Sequence, residues 1–187
     1  RAIATDLRAP PLVLARRNIA RSGVRDRVIT IQSDGLGCLE GLGVDVVSSA
    51  GISGSTMVRL LGNAPRVLAS LTRIVLQPNS DGQLVRAWAR QSGWHLREEA
   101  LIEERSRFFQ VLAFEPGVGP DPAYDATGDD ATALEVGPLL LARRDPTALR
   151  WCQWQTSRLG KLVDEGAHGL APELLRWRRA SSFLEGA

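Results

Sequence analysis

Short β-branched runs alternate with amphipathic helical stretches through the first half of this chain, and no other feature constrains its fold as strongly. Ala2–Asp6 reads as a short buried strand. Pro10 and Pro11 open a helix with the apolar stripe Leu12, Ala15 and Ile19, and Gly23 ends it. Val28–Gln32 is a second strand, followed by a short helix carrying Leu36, Leu39 and Leu42. Asp45–Ser48 is a third strand, entering the glycine-rich turn Ala50-Gly51-Ile52-Ser53-Gly54. Helices over Ser55–Leu61 and Ala64–Leu71 come next, then a strand over Arg73–Gln77 broken by Pro78, then a helix capped by Asp81. There the rhythm changes. His95–Glu103 and Phe108–Phe114 are strand-like runs separated only by Glu104–Arg107, too short for a crossover helix. The order predicts an α/β fold: a parallel sheet with helices on both faces, ended by an antiparallel β-hairpin.

Gly117–Asp130, rich in Gly, Pro and Asp, reads as a solvated loop and marks the end of this part. Asp145-Pro146 then starts a helix carrying Leu149, Cys152, Leu159, Leu162 and Val163, broken at Gly166–Gly169. Pro172 opens a second with Leu174, Leu175, Phe183 and Leu184. The expected division is a sheet domain over 1–142 and an antiparallel helical hairpin over 143–187. The first part carries 15 basic and 16 acidic residues and the second 8 and 5, so the hairpin is the basic end. Arg150, Arg158, Arg176, Arg178 and Arg179 are either a solvated face or a patch for a nucleic-acid backbone, with Arg176, Arg178 and Arg179 the candidates put to substrate binding. Trp151, Trp154 and Trp177 lie among them, placed either to cover the seam with the sheet or to stack bases. Cys38 and Cys152 have no metal-type spacing and read as free thiols of a reducing, cytoplasmic compartment. Neither a metal site nor a membrane span is expected, since no apolar run approaches the roughly 18 residues that crossing a bilayer requires.

In open α/β sheets, ligands bind outside the carboxyl ends of the strands. Asp6 closes the first strand, where a carboxylate accepts hydrogen bonds from ribose hydroxyls. Asp34-Gly35-Leu36 follows the second, where an acid could meet an exocyclic amine. Gly51 and Gly54 follow the third and permit close backbone approach to a ligand. Each is also an ordinary turn or cap residue taken alone; together they describe a nucleoside-cofactor pocket.

The succession Ala4-Thr5-Asp6, Ser33-Asp34-Gly35-Leu36, Ala50-Gly51-Ile52-Ser53-Gly54, Leu76-Gln77-Pro78-Asn79 and Gly93-Trp94 resembles the bacterial tRNA (adenine-22-N1)-methyltransferase family. Leu101-Ile102-Glu103-Glu104 with Phe108-Phe109, and Val136-Gly137-Pro138-Leu139-Leu140, extend the likeness along nearly the whole chain. The resemblance implies a Rossmann-like class I fold with a coiled-coil-like helical hairpin. It also implies S-adenosylmethionine as cofactor and methylation of an adenine ring nitrogen in tRNA. By the same resemblance, Asp6, Leu7, Asp34, Gly35, Leu36, Ala50 and Gly51 would bind the cofactor. Ile52, Ser53, Gly54, Gln77 and Asn79 would shape the target-base pocket. No catalytic acid–base pair is visible, and His95 and His168 read as ordinary histidines.

Two departures accompany the likeness. Ile52 and Ser53 stand where the family typically has Met and Gly, and a serine Cβ narrows the backbone approach. Folds of this class also begin with a strand and a glycine-rich loop for the methionine part of the cofactor, whereas Ala2–Asp6 reads as the second strand. That absence suggests a fragment that binds S-adenosylmethionine weakly. The alternative is a non-catalytic methyltransferase-like module that binds RNA or protein; a nicotinamide-dinucleotide site suits the terminal hairpin less well.

Overall fold

The computed structural model describes residues 1–126 and 129–186. In chain order the elements are β1 (Ala2–Asp6), α1 (Ala9–Arg21), β2 (Val28–Gln32), β3 (Val46–Ile52), α2 (Gly54–Gly62), α3 (Pro65–Leu68), β4 (Arg73–Pro78), α4 (Gly82–Gln91), β5 (Trp94–Glu104), β6 (Arg107–Pro116), α5 (Asp130–Val136), α6 (Pro138–Ala142), α7 (Pro146–Asp164) and α8 (Ala171–Glu185). The chain forms two compact units, Arg1–Asp45 with Arg59–Leu71 and Val46–Val58 with Thr72–Ala187. The strands are hydrogen-bonded as a parallel pair, β1–β2, and a four-stranded sheet in the order β3–β4–β6–β5.

In the first unit, β1 and β2 run parallel with Asp6 opposite Gln32. The connecting helix α1 has prolines at its first positions, where a missing N–H costs no helical hydrogen bond. It buries Leu12 and half-buries Ala15 and Ile19, the stripe expected from spacing.

In the second unit, β3 and β4 are parallel with Ala50 opposite Gln77. β6 then adds antiparallel to β4, pairing Ile74 with Phe114 and Leu76 with Leu112, and these four side chains are fully buried. The terminal hairpin is therefore present. Its turn is Arg105-Ser106, both in the left-handed region, which matches the twist of the flanking strands.

Three sequence expectations need correction. Asp81 stands at the start of α4 but does not cap it: its φ is 59° and its carboxylate accepts instead from the Ser80 hydroxyl at 3.0 Å. The stretch 117–130 is not simply a solvated loop. Asp121 is buried there and accepts the Leu96 N–H at 2.8 Å, and Tyr124 is buried with the Arg90 guanidinium 4.3 Å from its ring centroid. Thr127 and Gly128 of that stretch lie outside the described residues. Finally, α5 and α6 fall where no helix is expected, and they pack Val136, Leu140 and Leu141 into one core with Trp151, Cys152 and Trp177 of α7 and α8. Burial in that core pushes the Cys152 thiol up to about 12, so it stays protonated.

Helix α7 starts where Asp145-Pro146 predicts. Asp145 Oδ1 accepts the N–H groups of Thr147 and Ala148 at 2.8 and 3.2 Å. Burial pushes the Asp145 carboxyl up, but the hydrogen bond from Arg143 and those from the two amides outweigh it and hold the group below its ordinary value. Asp145→Ala is expected to cost about 1 kcal/mol in urea denaturation, and Asp145→Asn, which keeps an acceptor at the cap, clearly less. A depressed carboxylate contributes stability that is complete above its unfolded pKa and fades as pH falls through the folded one. The Asp145→Ala deficit should accordingly shrink in strong acid.

Candidate active site

The first unit ends both of its strands in tied turns. Asp6 Oδ1 accepts the Arg8 N–H at 2.8 Å, and the Asp6 carbonyl accepts the Ser33 N–H at 3.1 Å. Gln32 Nε2 donates to the Leu7 carbonyl at 3.0 Å. These bonds fix the Asp6 carboxylate at the strand end, with Oδ2 unengaged among the described residues. The Leu7 side chain is exposed. After β2, Asp34 is exposed and its carboxylate has no partner among the described residues, while Leu36 is half-buried. Gly35 turns between them so close to Leu60 that a Cβ would lie 3.0 Å from Leu60 Cδ2.

The second unit brings Gly51, Ile52, Gly54, Gln77 and Asn79 together at the carboxyl ends of β3 and β4. Gln77 Oε1 accepts the Gly51 N–H at 3.2 Å, and Gln77 Nε2 donates to the Pro78 carbonyl at 3.1 Å and to Asn79 Oδ1 at 3.3 Å. Asn79 returns the tie, donating from Nδ2 to the Gly51 carbonyl at 2.8 Å and from its backbone to Ile52 at 2.9 Å. Gln77 thus spends its amide on holding the turn, whereas Asn79 keeps one N–H and part of Oδ1 for another partner. Ala50 is exposed on the same stretch.

For Gly54 the close approach is to the chain itself rather than to a ligand. Its N–H donates to the Ser80 carbonyl at 2.8 Å, and a Cβ there would lie 2.8 Å from the Asp81 carbonyl carbon and nearer still to its oxygen. Ser53, beside it, caps α2: its hydroxyl accepts the Thr56 N–H at 3.3 Å and pairs with the Ser55 and Thr56 hydroxyls. A serine suits this position because the helix begins one residue later.

The three hairpin arginines do not form one face. Arg176 is half-buried with Nε 3.7 Å from Glu135 Oε2, while Arg178 and Arg179 are exposed. On a helix, positions 176 and 179 neighbour each other, whereas 178 lies about 160° round the axis from 176 and about 100° from 179. Arg150 is held by Glu103 at 2.9 Å. Trp151 and Trp177 are buried and meet edge to face at 4.7 Å, and Trp154 is 46% exposed.

One group escapes sequence reasoning altogether. Arg86, fully buried, lies 2.7–2.8 Å from Glu99 Oε1 through Nη2 and Nε. It also donates to Gln110 Oε1 at 2.6 Å and to the Leu134 carbonyl at 2.8 Å. Glu99 Oε2 in turn accepts the Leu139 and Leu140 N–H groups at 3.2 and 3.3 Å. A Cβ on Gly82, the residue that follows Asp81, would lie 2.6 Å from Gln110 Oε1. The turn after β4 is therefore braced by Gly54 on one strand end and by this ion pair through Gln110. Among the described residues no group of His, Cys, Asp and Glu could hold a metal, and no helix is long and apolar enough to cross a membrane.

Parallel strands ending in these turns, followed by a terminal antiparallel hairpin, define a Rossmann-like methyltransferase fold. A Streptococcus pneumoniae protein crystallised with S-adenosyl-L-methionine shares it, with a TM-score of 0.83 and 23% identity over 96% of this chain and 80% of its own. So does TrmK of M. capricolum in complex with S-adenosyl-homocysteine, with a TM-score of 0.80 and 16% identity over 97% of this chain and 80% of its own. Residues 1–166 match the profile of the tRNA (adenine(22)-N(1))-methyltransferase family, TrmK, and the chain belongs to that family. It is 30% identical over 153 residues to the tRNA (adenine(22)-N(1))-methyltransferase of Bacillus subtilis strain 168. That match takes in 81% of this chain and 63% of the relative's length.

Proposed function

We propose that the protein transfers a methyl group from S-adenosylmethionine to N1 of an adenine in tRNA, in the cytoplasm. What supports the reading is that the family match coincides with acidic and amide side chains set at the carboxyl ends of parallel strands. The residues fit the cofactor: Asp6 has a carboxylate oxygen free for ribose hydroxyls, and Asp34 with Gly35 and Leu36 offers an acceptor and an apolar edge to an adenine. S-adenosylmethionine, when bound, supplies an electrophilic methyl group on a sulfonium. Adenine N1 carries an in-plane lone pair, so no side chain has to remove a proton to make it a nucleophile. The work of the chain is alignment. The turn of Ile52, Ser53 and Gly54, with Gln77 and Asn79, holds the target base after it has left its stack. In this reading residues 1–142 carry the chemistry. The hairpin over 143–187 adds backbone contacts through Arg176, Arg178 and Arg179.

The test is a calorimetric titration with S-adenosylmethionine. Asp6→Ala is expected to weaken binding roughly 10- to 100-fold, the effect of losing a hydrogen bond to a charged group. Asp6→Asn, which preserves the acceptor for the Arg8 N–H, separates the lost charge from a loosened turn. Equal affinity in wild type and Asp6→Ala would remove Asp6 from the site.

A further inference from the structure

We propose that the cleft lined by the turn after β4, the start of β6 and the helices α7 and α8 holds an unpaired nucleobase of the RNA substrate, distinct from the adenine that is methylated. The inference rests on an RNA substrate, as proposed above. The cleft has a volume of about 460 Å³, inside the range of built small-molecule sites. Asn79 and Ser80 line it, but no residue of Ala50–Gly54 does. It is therefore a neighbour of the target-base pocket and shares a turn with it.

The chemistry of the lining suits a base and its phosphate. Trp154 is the stacking surface. Its ring lies 6.1 Å from that of Phe108 and under the Arg158 guanidinium at 5.5 Å, yet it remains 46% exposed. A large aromatic ring held by its neighbours and left open to water is poised for a flat partner, and every base offers one. Trp177 also lines the cleft; it is 1% exposed, and its indole N–H has no hydrogen-bond partner among the described residues. Glu135 and Glu173 add acceptors for an exocyclic amine or ring N–H, while Arg107 and Arg158 supply cations for a phosphate. Aromatic faces, carboxylates and arginines in one cleft match a nucleotide better than an apolar peptide.

The experiment measures anisotropy with a labelled oligoadenylate and with an abasic oligomer of equal length, which keeps the phosphates and lacks the bases. Trp154→Ala is expected to weaken the oligoadenylate about tenfold and leave the abasic oligomer unchanged, while Trp154→Phe keeps most of the affinity. In methyl transfer the same alanine variant should raise the KM for tRNA about tenfold and leave the affinity for S-adenosylmethionine unaltered. Arg158→Ala should weaken both oligomers and flatten their salt dependence. Equal oligoadenylate binding by wild type and Trp154→Ala overturns the inference, as does an equal loss on both oligomers. If the wild type transfers methyl groups while Trp154→Ala keeps its KM for tRNA, the cleft assignment fails and the enzymatic reading survives. If the wild type binds no S-adenosylmethionine but Trp154 still governs base binding, the enzymatic reading fails and the cleft assignment survives.

Discussion

Arg86→Met is expected to lower the unfolding free energy by about 3–5 kcal/mol, the cost of stranding a buried carboxylate. The magnitude follows from what the guanidinium holds. It neutralises Glu99, satisfies Gln110 and takes carbonyls at the end of α5, all where exposure is nil for the two charged side chains. Removing it strips the Glu99 carboxylate of its buried cation and leaves it the Leu139 and Leu140 amides. The double variant Arg86→Met with Glu99→Leu should recover much of the loss, because a buried pair replaced as a unit by apolar groups is often close to neutral. Urea denaturation of the two single variants and the double closes the cycle. A single-variant loss near that of a surface substitution, about 0.5 kcal/mol or less, would mean that the pair braces nothing.

Gly54→Ala carries the second large effect, on turnover more than on stability. A methyl group there cannot coexist with the present position of the Asp81 carbonyl, and both partners are backbone, so neither yields by rotating a side chain. The expected destabilisation is about 1–3 kcal/mol, the usual range for overpacking. The two turns would part, carrying Asn79 away from Gly51, and if this site performs the proposed transfer by alignment, a displacement of about 1 Å costs about a hundredfold in rate. Steady-state methyl transfer checks this, with S-adenosylmethionine affinity measured alongside. A variant that keeps wild-type kcat would show that the Gly54–Asp81 contact does not position the target base.

How much of this was legible beforehand depends on which residues carried it. The strands were readable because β-branched runs such as Val28–Gln32 and Arg73–Gln77 sit between turn residues, and the hairpin because four residues cannot cross over a sheet. The glycine turn and Gln77-Pro78-Asn79 were visible as motifs, though not that Gln77 spends its amide on Gly51. Arg86 was invisible for a physical reason. Nothing around it in the sequence marks it as buried, and strict alternation from Trp94 and Leu96 would turn Glu99 outward. A bulge between Leu96 and Glu98 shifts the alternation by one, so Glu99 and Leu101 turn inward instead. Asp121, taking the Leu96 N–H beside that bulge, is the long-range partner that composition could not announce. The helices α5 and α6 leave no clear trace in the sequence either, since short segments owe their helicity to the core they join rather than to propensity.

Methyl transfer to an adenine ring nitrogen of tRNA is the activity proposed for this chain. Its most direct test incubates tRNA and S-adenosylmethionine with the protein expressed from its complete coding sequence, and then analyses the digested nucleosides by mass spectrometry. The expected product is 1-methyladenosine, formed by the wild type and about a hundredfold more slowly by Gly54→Ala. Unmodified tRNA from a preparation that shows no heat of S-adenosylmethionine binding would contradict it and leave the chain a methyltransferase fold put to non-catalytic use.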